Sequence, residues 1–169
     1  LTINDGATLT LTGDTAYTIN HLYMGVGSTL IVPAGSAITV TGNASMQGAG
    51  GEANYATIQA PADGDTFDIT FQCTFDGDYV YFHNVGDGTV TYQGPTDISY
   101  GVFDGGSGTD PYIDYQYDTA EDVTWNNLSF ECAGDKTTIE NSNPGEGDVT
   151  VNGYTLEAGA WCGGDSTEI

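Results

Sequence analysis

Two short runs of β-branched residues on either side of a Pro-Ala-Gly corner constrain the fold of this chain more than any other stretch. Residues 29–32 (TLIV) and 37–40 (AITV) flank Pro33, Ala34 and Gly35. Val, Ile and Thr have few χ1 rotamers and pack well on a pleated surface, so both runs predict strands. Pro and Gly predict the turn between them. The same glycine-bracketed pattern returns at residues 6–13, 35–42, 88–94 and 147–153, so the whole chain is expected to consist of short strands.

Alternating apolar and polar residues between turn-forming residues predict further strands along the chain. They fall at residues 1–4, 8–12, 17–24, 56–59, 67–71, 79–83, 90–92, 98–103, 112–117, 123–125, 128–132, 137–139, 149–151 and 154–156. No window is typical of an amphipathic helix, so the chain is predicted to be all-β. The repeated pattern favours a parallel β-helix or solenoid, in which the apolar positions of successive coils align. An antiparallel β-sandwich with tight turns is the alternative.

The length, and a composition without a sharp break, predict one domain over residues 1–169. Residues 1–60 form the regular, repeat-like part, and residues 61–169 are more acidic and more aromatic. The chain begins at Leu1 in the middle of a strand pattern, from which we expect an exported protein whose leader has been removed. No apolar run is long enough for membrane insertion.

The charge of the chain restricts its partners. The sequence has 24 acidic residues, a single Lys136 and no Arg, for a net charge of -23. A surface this negative repels nucleic acids and anionic lipid head groups, so neither is an expected partner. The carboxylates must be spread apart, hydrated or neutralised by bound cations. The 11 Tyr, 6 Phe and 2 Trp residues argue against disorder, because acidic disordered chains contain few aromatic residues.

At residues 27–42 the chain resembles a class of extracellular proteins. The sequence LIVPAGSAITV at its centre is similar to the coils of β-helix and surface-layer proteins of bacteria and archaea, which include adhesins and the building blocks of sheaths and filaments. The resemblance covers about a third of the chain. It implies a secreted protein at the cell surface with a structural role, and it provides no catalytic residues.

Two acidic turns are candidate metal sites. Their carboxylates occur at the alternating spacing used by loops that bind Ca²⁺ or another divalent cation, which prefers oxygen ligands. The candidate ligands are Asp63, Asp65, Asp68, Asp76 and Asp78. The alternative is that these residues are solvated turn residues, since Asp caps turns with its own side chain.

Two of the three cysteines have a similar local sequence. Cys73 follows Thr-Phe-Gln and Cys132 follows Ser-Phe-Glu, so the two occupy matching strand positions and could form a disulfide. Cys162 would then be free or would pair between molecules. The alternative is three buried free thiols.

The tyrosines and two sequence triplets provide candidate interaction sites. Tyrosine is enriched at protein interfaces and can also stack on sugars. The candidates here are Tyr79, Tyr81, Tyr112, Tyr115 and Tyr117, together with Tyr92 and Tyr100. Strand-forming residues on half-buried faces are the alternative. Asn127-Leu128-Ser129 and Asn43-Ala44-Ser45 fit the N-glycosylation pattern, and Asn127 is the better candidate.

Three functions fit these observations, and the first is the one we predict. The chain is an extracellular structural protein that assembles with itself through strand edges into a filament, sheath or surface layer. The alternative is a carbohydrate- or surface-binding adhesin module, with glycans as partners. A polysaccharide-active enzyme is the third. We expect no enzymatic activity, because His21 and His83 have no obvious nucleophile nearby and a single Lys cannot neutralise an acidic sugar.

Overall fold

A computed structural model describes residues 1–13, 15–106, 112–132, 138–142, 145, 147–156 and 167–168. It is nearly all β and forms a β-solenoid of about six turns. The prediction of an all-β solenoid is confirmed. The sandwich alternative is wrong, because the paired strands run parallel and each lies beside the equivalent strand of a neighbouring coil.

The strands are numbered in chain order. They are β1 (Thr2–Ile3), β2 (Thr8–Thr10), β3 (Ala16–Ile19), β4 (Leu22–Met24), β5 (Thr29–Ile31), β6 (Ser36–Val40), β7 (Ala44–Gln47), β8 (Ala56–Gln59), β9 (Phe67–Phe71), β10 (Phe75–His83), β11 (Thr89–Tyr92), β12 (Thr96–Gly106), β13 (Tyr112–Tyr115), β14 (Val123–Cys132), β15 (Thr138–Asn141), β16 (Val149–Leu156) and β17 (Thr167–Glu168). A short 3-10 helix, Glu52–Asn54, precedes β8.

Each coil passes through three faces. The first face contains β1, β4, β7 and the first halves of β10, β12, β14 and β16, and β17 continues it. The second face contains β2, β5, β8 and the second halves of the same long strands. The third face is a six-stranded sheet of β3, β6, β9, β11, β13 and β15. Because the long strands belong to both of the first two faces, these faces form one eleven-stranded sheet.

The core consists of columns of inward side chains, one from each coil. On the second face, Leu30 lies beside Ile58, Ile58 beside Phe82, and Phe82 beside Phe103. Phe130 continues this column, and all five side chains are almost completely buried. The aromatic rings stack, with 5.1 Å between the ring centroids of Phe82 and Phe103 and 9° between their planes. The core therefore changes from aliphatic to aromatic along the solenoid axis.

Several predicted strand boundaries are wrong for identifiable reasons. The strand predicted at residues 17–24 is in fact β3 and β4, separated by a corner at Asn20 and His21 that contains neither Gly nor Pro. The strand β7 was not predicted. Residues 123–125 and 128–132 belong to one strand, β14, because Asn127 (φ 54°) bends the chain without ending its pairing with β12 and β16.

Three buried polar atoms in the aromatic part of the core have no hydrogen-bond partner among the described residues. They are the hydroxyls of Tyr92 and Tyr115 and Nε1 of Trp125. Tyr92 and Tyr115 both make T-shaped contacts with the Trp125 ring, at 5.7 and 5.9 Å between ring centroids. A buried hydroxyl without a partner loses its hydrogen bonds to water and gains none in return. These tyrosines therefore contribute as aromatic rings, and their hydroxyls oppose folding.

Replacing Tyr92 with phenylalanine is expected to raise the free energy of unfolding by about 1 kcal/mol at pH 8, because the change removes an unpaired buried hydroxyl. Burial raises the pKa of Tyr92 well above 10 and that of Tyr115 to about 12. An unfolded tyrosine ionises near pH 10, so above that pH the unfolded state releases protons that the folded state keeps. Stability should fall as the pH rises from about 10 towards 12.

Urea unfolding at pH 8 and pH 11 measures both effects. Tyr92→Phe should lose less stability than the unmodified protein between the two pH values. Tyr23→Phe is the matched control, because Tyr23 is 42% exposed. A lower stability of Tyr92→Phe at pH 8 would show that the hydroxyl has a partner after all.

Candidate binding surface

One residue in each coil turns the chain from the first face to the second. In the first two coils it is a glycine, Gly6 (φ 66°) or Gly27 (φ 63°). In the later coils, Asp78 lies beside Ser99 and Val80 beside Gly101, which places Tyr79 beside Tyr100. The same registers place Tyr55 before them and Asn127 and Gly153 after them. We call Tyr55, Tyr79, Tyr100, Asn127 and Gly153 the corner column.

The backbone at three positions of the corner column is left-handed although the residues are not glycine. Tyr79 has φ 50°, Tyr100 has φ 56° and Asn127 has φ 54°. This conformation brings Cβ close to the following carbonyl oxygen and costs about 1–2 kcal/mol for an ordinary L-residue, whereas glycine adopts it freely. Because glycine makes the same corner in other coils, the turn itself does not require a tyrosine.

The tyrosines of the corner column form a stack on the surface. The centroids of the Tyr79 and Tyr100 rings lie 4.4 Å apart, and their planes differ by 1°. The Tyr55 ring also contacts the Tyr79 ring, with 5.7 Å between the ring centroids and 59° between the ring planes. The outermost ring, Tyr100, is 42% exposed, which makes it one of the most exposed large apolar side chains among the described residues.

A polar cluster lies beside this stack on the second face. The Tyr81 hydroxyl is 3.3 Å from Asp104 Oδ2 and 3.4 Å from Glu131 Oε2, so it can donate to either carboxylate. His83 Nε2 lies 3.2 Å from the same Asp104 oxygen, and the His83 ring stacks on Tyr81 at 4.9 Å. Burial, followed by the charges of Asp104 and Glu131, raises the pKa of Tyr81. Its hydroxyl therefore remains a proton donor at physiological pH.

The electrostatic environment of the surface is negative. Burial raises the pKa of Asp78, and the neighbouring carboxylates of Asp76 and Asp97 raise it further. Burial together with the charges of Glu52 and Glu131 raises the pKa of Tyr55. The whole sequence contains one Lys and no Arg, so these carboxylates can accept hydrogen bonds from a ligand but have few cations to pair with.

The five carboxylates predicted to bind a metal do not come together. Asp76 and Asp78 lie on the first face in β10, Asp68 lies on the third face in β9, and Asp63 and Asp65 lie in the corner between β8 and β9. Within the described ranges, no group of three or more His, Cys, Asp and Glu side chains is arranged to hold a metal ion.

Two of these carboxylates, and that of Asp5, instead accept hydrogen bonds from backbone N–H groups. Asp65 Oδ2 accepts a hydrogen bond from the Ala62 N–H at 3.1 Å within its own turn. Asp68 Oδ1 accepts one from the N–H of Thr89, in the next coil, at 2.8 Å. Asp5 does the same for Val26 at 3.0 Å. Some of the many Asp side chains therefore accept hydrogen bonds from backbone N–H groups at the corners of the coils.

The predicted disulfide between Cys73 and Cys132 is absent, because Cys73 is a buried free thiol. Cys73 lies in the corner after β9, between the third face and the first, whereas the backbone of Cys132 pairs with Gly106 on the second face. Their similar local sequences reflect two strand ends in different parts of the coil. Cys162 lies outside the described residues.

The other predicted site residues are divided between the faces. Tyr79 and Tyr81 both lie in β10 at the candidate surface, and Tyr112 and Tyr115 lie in β13 on the third face. Tyr92 and Tyr115 are completely buried, so the prediction that they contact a sugar or a partner is wrong. Tyr117 is half-buried, and Tyr100 is exposed. The glycosylation candidates Asn43 and Asn127 are both exposed.

Sequence reasoning missed two parts of this surface. Tyr55 was not identified, because it follows a glycine-rich loop and no strand pattern includes it. Glu131 and His83 were not linked to each other, since they are far apart in the chain. Only the register of the coils shows that the second half of β10, β12 and β14 brings such residues together.

Comparison with known proteins finds no matching family model, no matching curated protein and no matching solved structure. In the described part of the chain, no helix is long and apolar enough to cross a membrane.

Proposed function

We propose that this chain is an extracellular, non-enzymatic structural protein that assembles with itself, coil on coil, into a filament, sheath or surface layer. The observation that carries the proposal is the edge of the first coil. The strands β1, β2 and β3 pair with β4, β5 and β6 on one side, and among the described residues no strand pairs with their other side. An unpaired strand edge is a ready template for the strand of another chain.

The backbone groups at this edge can be assigned from the hydrogen bonds on the paired side. Ala37 N–H donates to the Thr15 carbonyl and Thr41 N–H to the Ile19 carbonyl, at 2.9 and 3.0 Å. Alternate residues of a strand direct their backbone groups to opposite edges, so Ala16 and Thr18 direct theirs to the open edge. By the same alternation, the backbone groups of Thr8 and Thr10 face outward from β2.

The strands of the open edge are short, at two to four residues, but they lack two of the usual features that prevent edge-to-edge association. Natural edge strands are often interrupted by Lys, Pro or a bulge, and β1, β2 and β3 contain neither Lys nor Pro. A second copy added in register would extend the side-chain columns of the existing coils. The contact would join two different surfaces of the protein, and repetition of such a contact gives an open filament.

The charge of the chain makes assembly dependent on ions. Stacking copies that each have a net charge of -23 brings like charges together. The Debye length falls from about 30 Å at 0.01 M salt to about 3 Å at 1 M, so salt should permit the contact. Bridging divalent cations would have the same effect.

Replacing Thr18 with proline is expected to abolish assembly and to leave the fold intact. Proline removes one N–H that faces the open edge and no N–H used in pairing with β6, and edge strands tolerate proline at such positions. The measurement is negative-stain electron microscopy in 1 M salt, in low salt, and with added Ca²⁺ or chelator. Thr18→Val is the matched control, because it keeps the backbone N–H.

We expect filaments, tubes or sheets for the unmodified protein and for Thr18→Val in high salt or Ca²⁺, and dispersed particles for Thr18→Pro. Circular dichroism verifies that all three proteins are folded. Dispersed particles of the unmodified protein under all conditions would reject the proposal. Assembly of Thr18→Pro like the control would show that another surface joins the copies.

A further inference from the structure

The stack of rings in the corner column stops abruptly at Tyr100. Tyr79 covers one face of the Tyr100 ring. On the other side the column continues with Asn127 and Gly153, so among the described residues that ring face has no aromatic neighbour. The exposed Tyr100 ring is therefore the last ring of the stack among the described residues.

The surface that follows Tyr100 along the column carries carboxamides. Asn126 and Asn152 lie next to each other on the outer surface of β14 and β16, and Asn127 is exposed beside them. A Cβ added to Gly153 would lie 2.9 Å from Asn127 Oδ1, so the Asn127 side chain reaches over this glycine. We call the Tyr100 ring face together with Asn126, Asn127, Asn152 and Gly153 the Tyr100 ledge.

The backbone at Tyr100 indicates that its ring is retained for a purpose other than the turn. A left-handed tyrosine costs folding free energy that a glycine would save. Such outliers occur preferentially at ligand-binding sites, where the surrounding structure maintains them. Contact with Tyr79 offsets part of the cost, but that contact uses one face of the Tyr100 ring and leaves the other exposed.

The side chains of the Tyr100 ledge indicate the class of ligand that it would bind. A flat aromatic face packs against a rigid apolar surface, and carboxamides both donate and accept hydrogen bonds. A pyranose ring offers both, with an apolar C–H face and hydroxyls around its rim. The net charge of -23 repels uronic acids, sulfated sugars and phosphates, so the fitting sugars are neutral.

We propose that the Tyr100 ledge is a binding subsite for a neutral polysaccharide, with one sugar ring stacked on Tyr100 and its hydroxyls bonded to Asn127 and the neighbouring amides. This site is on the side wall of the solenoid, whereas the proposed self-assembly uses the strand edges of its end. The two proposals therefore rest on different surfaces, and each can be rejected without rejecting the other. Together they describe a surface material that also holds glycans.

The test is isothermal titration of the protein, made in a bacterial host without N-glycosylation so that Asn127 stays unmodified. The probes are the hexaoses of cellulose, laminarin, amylose, xylan, mannan and chitin, with polygalacturonate as the charged comparison. Tyr100→Gly removes the ring at a position whose backbone favours glycine. We expect it to weaken binding of the best neutral probe at least tenfold, which corresponds to about 1.4 kcal/mol.

Two further variants separate the ledge from other surfaces. Tyr23→Ala is the matched control, since Tyr23 is as exposed as Tyr100 but lies in the second coil, and it should bind like the unmodified protein. Asn127→Gly keeps the left-handed backbone and removes the amide, and it should bind several-fold more weakly. Failure of every neutral probe to bind at millimolar concentration overturns the proposal, and so does unchanged binding by Tyr100→Gly.

The experiment also identifies the competing occupant, a second copy of the chain. If the ledge were a contact between copies, Tyr100→Gly would change the oligomeric state in analytical ultracentrifugation and leave sugar binding unaffected. Electron microscopy of Tyr100→Gly in 1 M salt completes the comparison. Filaments with lost sugar binding support both proposals, and lost filaments with intact sugar binding contradict the ledge.

Discussion

Replacing Phe103 with alanine is expected to lower the free energy of unfolding by about 3–5 kcal/mol. Phe103 is completely buried between Phe82 and Phe130, with ring centroids 5.1 and 6.0 Å away and planes within 9° and 17°. Truncation removes the buried ring and leaves a cavity in the middle of the column. The neighbouring rings cannot close this cavity, because hydrogen bonds between coils fix their spacing.

Chemical denaturation followed by near-ultraviolet circular dichroism measures the effect. Val26→Ala is the control, since Val26 is 37% exposed and lies outside the aromatic column. We expect it to cost less than about 1 kcal/mol, as for changes outside the packed core. A loss for Phe103→Ala no larger than that of the control would mean that the column is loosely packed.

Replacing Gly88 with alanine is expected to cost about 3 kcal/mol, at the upper end of the range for overpacking. Gly88 lies in the corner between β10 and β11, where a Cβ would lie 1.9 Å from the carbonyl oxygen of Phe67 and 2.8 Å from that of Val85. Both are backbone atoms, so no rotamer change can relieve the clash. The third face would have to move away from the preceding coil.

A second glycine separates the clash from backbone strain. Gly64 has φ +83°, and a Cβ there would meet nothing within 4 Å. Gly64→Ala should therefore cost only the left-handed conformation, about 1–2 kcal/mol. The melting temperatures of the two variants provide the comparison. Equal losses would contradict close packing of the coils at Gly88.

The strands were predictable where a local pattern determines them. Residues 67–71 alternate between apolar and polar side chains and form β9 as predicted. The corner at Asn20 and His21 was not predictable, because it carries no Gly or Pro. The sequence also did not reveal that residues 123–132 form one strand. The left-handed Asn127 changes the direction of β14, but the strand remains paired with β16 on both sides of this residue.

The candidate surface was predictable only in part. Alternation in residues 79–83 identifies Tyr79 and Tyr81 as candidate surface residues, and the structure places them there. The residues that lie beside Tyr79 and Tyr81 in neighbouring coils depend on the number of residues per coil. The loop at residues 48–54 makes its own coil longer, so this register could not be read from the sequence. The false disulfide has the same origin, because two similar local sequences fall on different faces.

The pairing of each coil with its immediate neighbours has a consequence for how such a gene can change. Thr2 lies beside Tyr23 and Tyr23 beside Ser45, and Ile3, Met24 and Met46 occupy equivalent inward positions. Loss or duplication of one whole coil in the aliphatic part would bring two equivalent edges together and preserve every column. Molecules of this type can therefore evolve in length by steps of one coil, while insertions within a coil are confined to its corners.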